Sequence, residues 1–244
     1  MLAGGVVLVV ALVVVVPWAY IHLVEGDQPA ALSVDDVPAQ SAPVSATGEA
    51  SAASTSTSSS AAADGQPTAS TGLAGTWTVG TGSQAGYRVK ETLAGQSTTA
   101  VGRTSAVSGS LTIKASAITA ASFTVQMAQV TSDRSQRDGQ FTGRIMDTAR
   151  YPTAVFTLTQ PIELGAVSAV GDTVTLRATG NLTLHGTTNK VSFDVEAKRT
   201  AAGLAASGDI AIRYADYGID NPSFGFVSVG DSGTIEFLLV ATRD

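Results

Sequence analysis

A long alternation of apolar and polar residues runs from Thr173 to His185. A period of two places one set of side chains on a dry face and the other on a wet face, which is the pattern of a half-buried β-strand. The apolar set is Val174, Leu176, Ala178, Gly180, Leu182 and Leu184. This stretch therefore predicts one strand of a sheet that covers a core with one of its faces.

The same alternation recurs in shorter stretches beyond residue 75. Its apolar positions include Tyr87 and Val89; Val107, Gly109, Leu111 and Ile113; Phe123, Val125 and Met127; Ala154, Phe156 and Leu158; Val191, Phe193, Val195 and Ala197; Gly208, Ile210 and Ile212; and Ile235, Phe237 and Leu239. About eight strands joined by short turns predict antiparallel pairing. Only Ser135–Asp147 is interpreted as a short helix, with Phe141, Ile145 and Met146 on one side. The domain is therefore predicted to be all-β with one helix.

Two architectures suit about eight antiparallel strands. A closed barrel removes the exposed edges and leaves room inside for a small ligand. A two-sheet sandwich would instead have a filled core, and periodicity alone leaves both open. Many inward positions are Ala, Gly or Val, which favours an under-filled interior. In a barrel the dry-face residues would line a cavity, and the predicted set is Phe123, Val125, Met127, Phe156, Leu158, Leu176, Leu182, Phe193, Val195, Ile210, Ile212, Phe237 and Leu239.

The N-terminal residues have a different character. Leu2 to Val24 carries no formal charge over 23 residues, which is long enough to span a bilayer as a helix. We interpret residues 1–24 as a transmembrane anchor, and a cleaved signal segment is the alternative. Residues 25–74 are rich in Ser, Ala, Thr and Pro, and we interpret them as a disordered linker, either a plain spacer or a glycosylated stalk.

Charge and composition exclude several classes of function. All 14 bases lie at or beyond Arg88, and six of the 20 acids precede residue 75, so the domain at 75–244 is formally neutral. A neutral domain has no electrostatic footprint for nucleic acid. The chain has no cysteine and two histidines, so no metal site is expected. No nucleophile with a base, carboxylate pair or phosphate loop is recognised, so we predict neither an enzyme nor a cofactor.

Few polar residues suggest contacts to a ligand. Arg137 and Asp138 in the helix, and Arg213 and Asp216 after a strand, form a possible polar rim of the cavity. The alternative is that these four residues form only surface ion pairs, which are common and weak. His185 precedes Gly186 on the wet face, and a role in the hairpin turn is favoured over ligand binding.

Several short clusters resemble the YceI family, the lipocalin-like polyisoprenoid-binding proteins of bacteria. In chain order they are Gly75–Val79, Tyr87–Lys90, Ser132–Asp133 with Arg137–Asp138, Tyr151–Pro152 with Phe156, Gly180–Thr188, Arg213–Gly218 and Val229–Asp231. Together they cover about 75–242, nearly the whole domain. One departure is Glu91, which stands where members of the family often carry a histidine.

The resemblance implies a closed, lipocalin-like antiparallel barrel that encloses a long isoprenoid chain. It also implies export, which places the domain outside the cytoplasm on a single-pass anchor in a bacterial cell membrane. The expected partners are an isoprenoid-like lipid and the membrane. The expected function is carriage, storage or sequestration of that lipid. The alternatives are an envelope interaction module with a packed core, and, least favoured, an enzyme acting on an isoprenoid-like substrate.

Overall fold

The structure, a computed structural model, describes residues 28–37, 72–93, 95–165, 169–225 and 227–244. Within these ranges, no helix is long and apolar enough to cross a membrane. The predicted anchor and most of the predicted linker lie outside the described residues.

Thirteen strands form in the described residues. They are β1 (Gly75–Val79), β2 (Gln84–Leu93), β3 (Gln96–Thr104), β4 (Val107–Lys114), β5 (Ala117–Gln126), β6 (Thr131–Ser132), β7 (Thr153–Leu158), β8 (Ile162–Glu163), β9 (Thr173–Leu184), β10 (Thr187–Arg199), β11 (Leu204–Arg213), β12 (Val227–Val229) and β13 (Ser232–Arg243). Every pairing between them is antiparallel.

These segments combine into eight long strands. β1 and β2 both pair with β13, so they are two halves of one interrupted strand. The pairs β3/β4, β5/β6, β7/β8 and β12/β13 are interrupted in the same way, whereas β9, β10 and β11 are continuous. Each long strand pairs with the next in sequence, and the last returns to the first. The sheet is a closed barrel, which confirms the predicted fold and rules out the sandwich.

The hairpin between β9 and β10 contains two residues with positive φ, His185 at 49° and Gly186 at 76°. A two-residue turn of this kind matches the twist of the flanking strands. The His185 ring packs on Tyr151 at 4.5 Å, and its Nδ1 lies 3.2 Å from the carbonyl of Tyr217. The predicted turn role of His185 is confirmed.

The predicted helix is present in two parts. Helix α1 spans Ser135–Gln140, and a π-helical turn follows at Phe141–Ile145. Phe141 and Met146 are buried on the side that faces the barrel. The helix therefore covers part of one end of the barrel, which we call the mouth end. The opposite end, which carries the turn between β10 and β11, is the far end.

Small inward residues leave space for large ones on neighbouring strands. A Cβ on Gly180 would overlap the ring of Phe156, and a Cβ on Gly102 would overlap the ring of Tyr87. Aromatic rings covering glycines on the adjacent strand fix the register of a barrel. At the far end, Trp77 is buried with Leu73, and its Nε1 donates to the Leu73 carbonyl at 2.9 Å.

Two parts of the predicted linker are ordered. The first comprises residues 72–74, where Leu73 is buried beside Trp77 at the far end, and the second is residues 28–37. Residues 28–37, which we call the strap, lie across the outside of the barrel and contain a 3-10 turn at Val34–Asp36. Val34 is only 2% exposed and packs on Ala205 and Leu238. Its backbone N–H donates to Ser207 Oγ at 3.2 Å, and Asp35 pairs with Lys198 at 2.6 Å. The prediction of disorder is wrong for these ten residues because an apolar strip on the outer wall is available to bury them.

Beside the strap lies a buried charge on the outer wall. Glu236 of β13 is 1% exposed, and its two carboxylate oxygens accept from Arg88 Nε at 3.2 Å and Arg103 Nε at 2.7 Å. The two guanidinium groups also donate to strap carbonyls, Arg88 to Pro29 at 2.8 Å and Arg103 to Ala30. This triad therefore joins three strands to the strap.

Asp209 lies directly opposite Glu236 on β11. Partial desolvation, and then the nearby Glu236 carboxylate, raise the pKa of Asp209 above its ordinary value near 3.8, while Arg88 opposes the shift. A raised pKa means that the folded state binds the proton more tightly, so ionising Asp209 lowers stability as pH rises. Asp209→Asn should therefore stabilise the fold at neutral pH. This gain should shrink as pH falls through about 4 and vanish below about 3, where Asp209 is protonated in both states.

The measurement is urea unfolding of the variant and the parent at several pH values. The matched control is Asp194→Asn, which removes an outer-face carboxylate that pairs with Arg177 at 2.8 Å and should give no such gain. A gain that is the same at pH 4 and pH 7 would contradict the explanation.

Candidate ligand-binding cavity

The mouth half of the barrel contains an open cavity of about 610 Å³. This volume lies within the range of roughly 300–1,000 Å³ found for small-molecule sites. Its walls come from the inward positions of the strands and from the helix. The apolar residues that line it include Val89, Leu93, Ala100, Val125, Met127, Val130, Ala154, Leu184, Ile212 and Ile235. The cavity is therefore suited to an apolar ligand or to the apolar part of one.

A cluster of aromatic rings lies below the cavity. Phe193 makes edge-to-face contacts with Phe156 at 5.4 Å and with Phe237 at 5.8 Å between ring centroids. Phe193 is buried, whereas Phe156 and Phe237 are only partly buried although both point inward. The three rings thus occupy the interior below the cavity.

An ion-pair cluster occupies the helix side of the rim. Arg137 Nη2 lies 3.2 Å from Glu91 Oε1, and its Nη1 contacts Asp133 Oδ1. Glu91 points inward from β2, and its side chain is 10% exposed. Two carboxylates therefore face the Arg137 guanidinium, and the guanidinium groups of Arg134 and Arg144 also line the cavity.

Two tyrosines bring hydroxyl groups into the mouth half. Tyr87 stacks on Phe141 at 5.0 Å, and burial raises the pKa of Tyr87 to about 12 against the opposing effect of Arg137. Burial and then Asp231 raise the pKa of Tyr214 to about 12 as well. Tyr214 lines the cavity, and its hydroxyl has no hydrogen-bond partner within the described part of the chain. Both phenols stay neutral at physiological pH, and the Tyr214 hydroxyl is a buried group behind the cavity wall.

The predicted lining residues divide between two levels of the barrel. Val125, Met127 and Ile212 line the cavity itself. Below it, the main core cluster includes Phe156, Leu182, Phe193, Val195, Ile210 and Phe237. Leu176 packs in the far-end cluster. Phe123 pairs across from Phe156, Leu158 from Gly180 and Leu239 from Ala206, on the same inner face.

The predicted polar rim is assembled only in part. Arg137 lines the cavity. Asp138 instead accepts from the backbone N–H of Ser132 at 2.8 Å and from its hydroxyl at 2.7 Å, which fixes the loop before α1. Arg213 is exposed and lies 3.6 Å from Asp231, not beside Asp216. Arg213 and Asp216 lie among outer-wall residues and are not brought to the cavity.

Several residues of the site were not predicted from the sequence. Tyr87 and Val89 belong to the predicted alternation but were not included in the predicted lining set, and extending that alternation by two residues would have placed Glu91 at the cavity as well. Tyr214 lies in a 3-10 turn at Tyr214–Tyr217, where no period-two pattern points inward. No group of three metal-ligating side chains occurs in the described ranges.

Comparisons with known proteins agree with this geometry. A family model for the YceI-like domain matches residues 77–241. A polyisoprenoid-binding domain from Saccharophagus degradans, implicated in plant cell wall breakdown, is 20% identical with a TM-score of 0.56, over 69% of this chain and 98% of that one. BcnA from Burkholderia cenocepacia is 20% identical with a TM-score of 0.53, over 66% of this chain and 96% of that one. A search of curated proteins gave no match.

Proposed function

This chain belongs to the YceI-like domain family, and we propose that its barrel binds an isoprenoid-like lipid, with the apolar tail inside and the polar head group at the rim. The observation that carries the proposal is the apolar cavity of about 610 Å³, open at the mouth end of a closed barrel. The description of the Saccharophagus degradans domain as polyisoprenoid-binding supports the same class of ligand.

Because the cavity walls are apolar, the binding energy depends mainly on the hydrocarbon tail of the ligand. Burying a hydrocarbon tail contributes about 0.8 kcal/mol per methylene group before opposing terms. Ordering the tail and losing its translational freedom oppose this gain, so the net affinity is far smaller than the sum. Each added isoprene unit should still increase retention until the space inside is filled.

The rim favours a head group with hydrogen-bond acceptors. The guanidinium of Arg137 lines the cavity and is a hydrogen-bond donor. Arg137 already faces Glu91 and Asp133, so it can add one charge-assisted hydrogen bond without requiring an anionic ligand. The protein acts here by binding, and the proposal includes no chemical step on the lipid.

The proposed place of action is the bacterial cell envelope. Residues 2–24 have the length and composition of a single-pass membrane helix. The acidic flank at Glu25 and Asp27 and the large domain that follows support an extracytoplasmic barrel. Carriage, storage and sequestration of the lipid are all compatible with such an arrangement.

The test is lipid retention by the purified chain. Organic extraction followed by mass spectrometry identifies any co-purified lipid, and reloading with prenyl lipids of graded length measures the dependence on the tail. Retention should rise with tail length. Arg137→Ala should weaken it about tenfold, because a hydrogen bond from a charged group contributes roughly 1.5 kcal/mol at the low end of its range and two carboxylates already offset part of this charge.

The matched control is Arg177→Ala, which removes an arginine from an exposed pair on the outer wall and should leave retention unchanged. Retention that does not depend on tail length would contradict the proposal and favour an interaction module.

A further inference from the structure

The strap fixes the point at which the N-terminal chain meets the barrel. Its first residues are held by Arg88 and Arg103 through the carbonyls of Pro29 and Ala30. Further along, Val34 is buried and Asp35 is paired with Lys198. A chain held by both polar and apolar contacts does not act as a free linker over these residues.

This docking shortens the connection to the proposed anchor. Only three residues separate Val24 from Gln28. Four steps of the chain reach at most about 14 Å. A flexible linker over all of residues 25–74 would have a root-mean-square reach of about 40 Å. With the strap docked, Gln28 must therefore lie within about 14 Å of the point where the apolar run ends.

The strap begins on the wall that leads to the mouth. Arg88 lies in β2, and five residues further along β2, Leu93 pairs with Val227 of β12 at the mouth end. That distance is about 17 Å along a strand. In the other direction the strap runs towards Ser207 and Lys198, nearer the far end. The chain that enters the strap therefore approaches from the side of the mouth.

The mouth on that wall carries an exposed aromatic side chain. Phe224 is 62% exposed, next to β12, and the Arg144 guanidinium lies 5.8 Å from the centre of its ring. Arg144 also donates to the Pro222 carbonyl at 3.0 Å, which holds this loop near the helix. Aromatic rings and arginines with apolar stems are favoured at the interface between a bilayer and water.

We propose that the strap seats the barrel with its mouth against the bilayer, so that the rim around Phe224 contacts the lipid surface and the cavity opens towards it. The partner of this surface is the membrane that holds residues 2–24. The inference rests on the proposed membrane anchor and is independent of what the cavity contains. A barrel seated in this way would exchange lipid with the bilayer without crossing open water.

The test measures which end of the barrel touches the bilayer. The chain has no cysteine, so a single introduced cysteine can carry a bimane fluorophore. Ser228→Cys places the label at the mouth, and Ala201→Cys places it at the far end; both positions are exposed. The full chain is reconstituted in liposomes that contain a brominated phospholipid as quencher. Quenching is expected at residue 228 and not at residue 201.

Two matched insertions separate the strap from the anchor. About 20 Gly/Ser residues inserted after Asp27 would add about 25 Å of mean reach while the strap stays docked, and should abolish the quenching at residue 228. The same insertion after Gln40 leaves the path from the anchor to the strap unchanged and should preserve it. Neither insertion alters a barrel contact, so loss of folding does not confuse the result.

Three outcomes would overturn the inference. They are absence of quenching at residue 228, equal quenching at both ends, and an equal effect of the two insertions. A full chain that does not sediment with the liposomes would overturn it together with the anchor. Failure of the lipid-retention test would instead contradict the proposed ligand. The quenching result would still decide how the barrel lies on the membrane.

Discussion

Replacing both Arg88 and Arg103 with alanine is expected to lower the free energy of unfolding by about 3–5 kcal/mol. The double variant leaves the Glu236 carboxylate, which is 1% exposed, without either of its guanidinium partners. A buried charge that loses its partners carries the whole desolvation penalty. The strap carbonyls of Pro29 and Ala30 lose their donors in the same variant. Urea unfolding of the two proteins at one pH measures the difference.

Removing the remaining charge should reverse most of this loss. Adding Glu236→Leu to the double variant replaces the whole triad with apolar side chains, a change that is often neutral when all members are replaced. The surface control is the Arg177 and Asp194 pair, whose side chains are 61% and 66% exposed and whose double replacement by alanine should change stability by less than about 1 kcal/mol. A double variant as stable as the parent would show that Glu236 reaches solvent without its arginines.

The outer wall shows how the sequence analysis was incomplete. The alternation in β13 was interpreted from Ile235, Phe237 and Leu239 alone. Leu238 and Val240 are also apolar, so this strand carries apolar residues on both faces, which is typical of a strand covered on both sides. Leu238 is buried beneath Val34 of the strap. The second covered face was therefore visible in the sequence, but not which segment covers it.

The strap contains a short capping motif that the average composition of residues 25–74 does not reveal. Ser33 and Asp36 form a capping box. The Asp36 carboxylate accepts from the backbone N–H of Ser33 at 2.9 Å, and the Ser33 hydroxyl accepts from the backbone N–H of Asp35 at 3.2 Å. Residues 25–74 as a whole are too poor in apolar residues to form a core of their own. Ten of them nevertheless fold against the barrel, because Val34 needs only one apolar patch on a surface that already exists. Averages over 50 residues hide so short a segment.

Cavity residues on the strands could be predicted from the alternation of apolar and polar residues, whereas those in loops and in the helix could not. Inward positions such as Val125 and Ile212 follow directly from strand alternation. The pairing of Arg137 with Glu91 joins a helix to a strand 46 residues away, and no local pattern specifies it. Arg213 and Asp216 are neighbours in sequence, but the start of a 3-10 turn after β11 directs Arg213 towards Asp231 instead. Contacts made by loops and helix ends could therefore be identified only from the structure.

Phe193→Asp is expected to prevent formation of the folded barrel. Phe193 is buried at the centre of the ring cluster with Phe156 and Phe237. An aspartate there would be an unpaired ion in an apolar interior, and the lost aromatic packing adds to its desolvation. Phe→Ala in a core already costs about 3–5 kcal/mol, and whole domains are stable by only about 5–15 kcal/mol. Leu182→Asp should have the same result for the same reason.

Phe193→Ala tests the role of this ring in ligand selection, because it removes side-chain volume below the cavity without adding a charge. The folded variant should retain longer prenyl tails relative to shorter ones than the parent does, because space opens towards the far end. Val170→Ala is the control, since it removes apolar atoms from a side chain that is 61% exposed and does not line the cavity, and it should change stability by no more than about 0.5 kcal/mol. The measurements are circular dichroism for folding and retention of graded prenyl lipids for selection. A folded Phe193→Asp protein, or unchanged tail preference in Phe193→Ala, would show that the rings do not divide the interior.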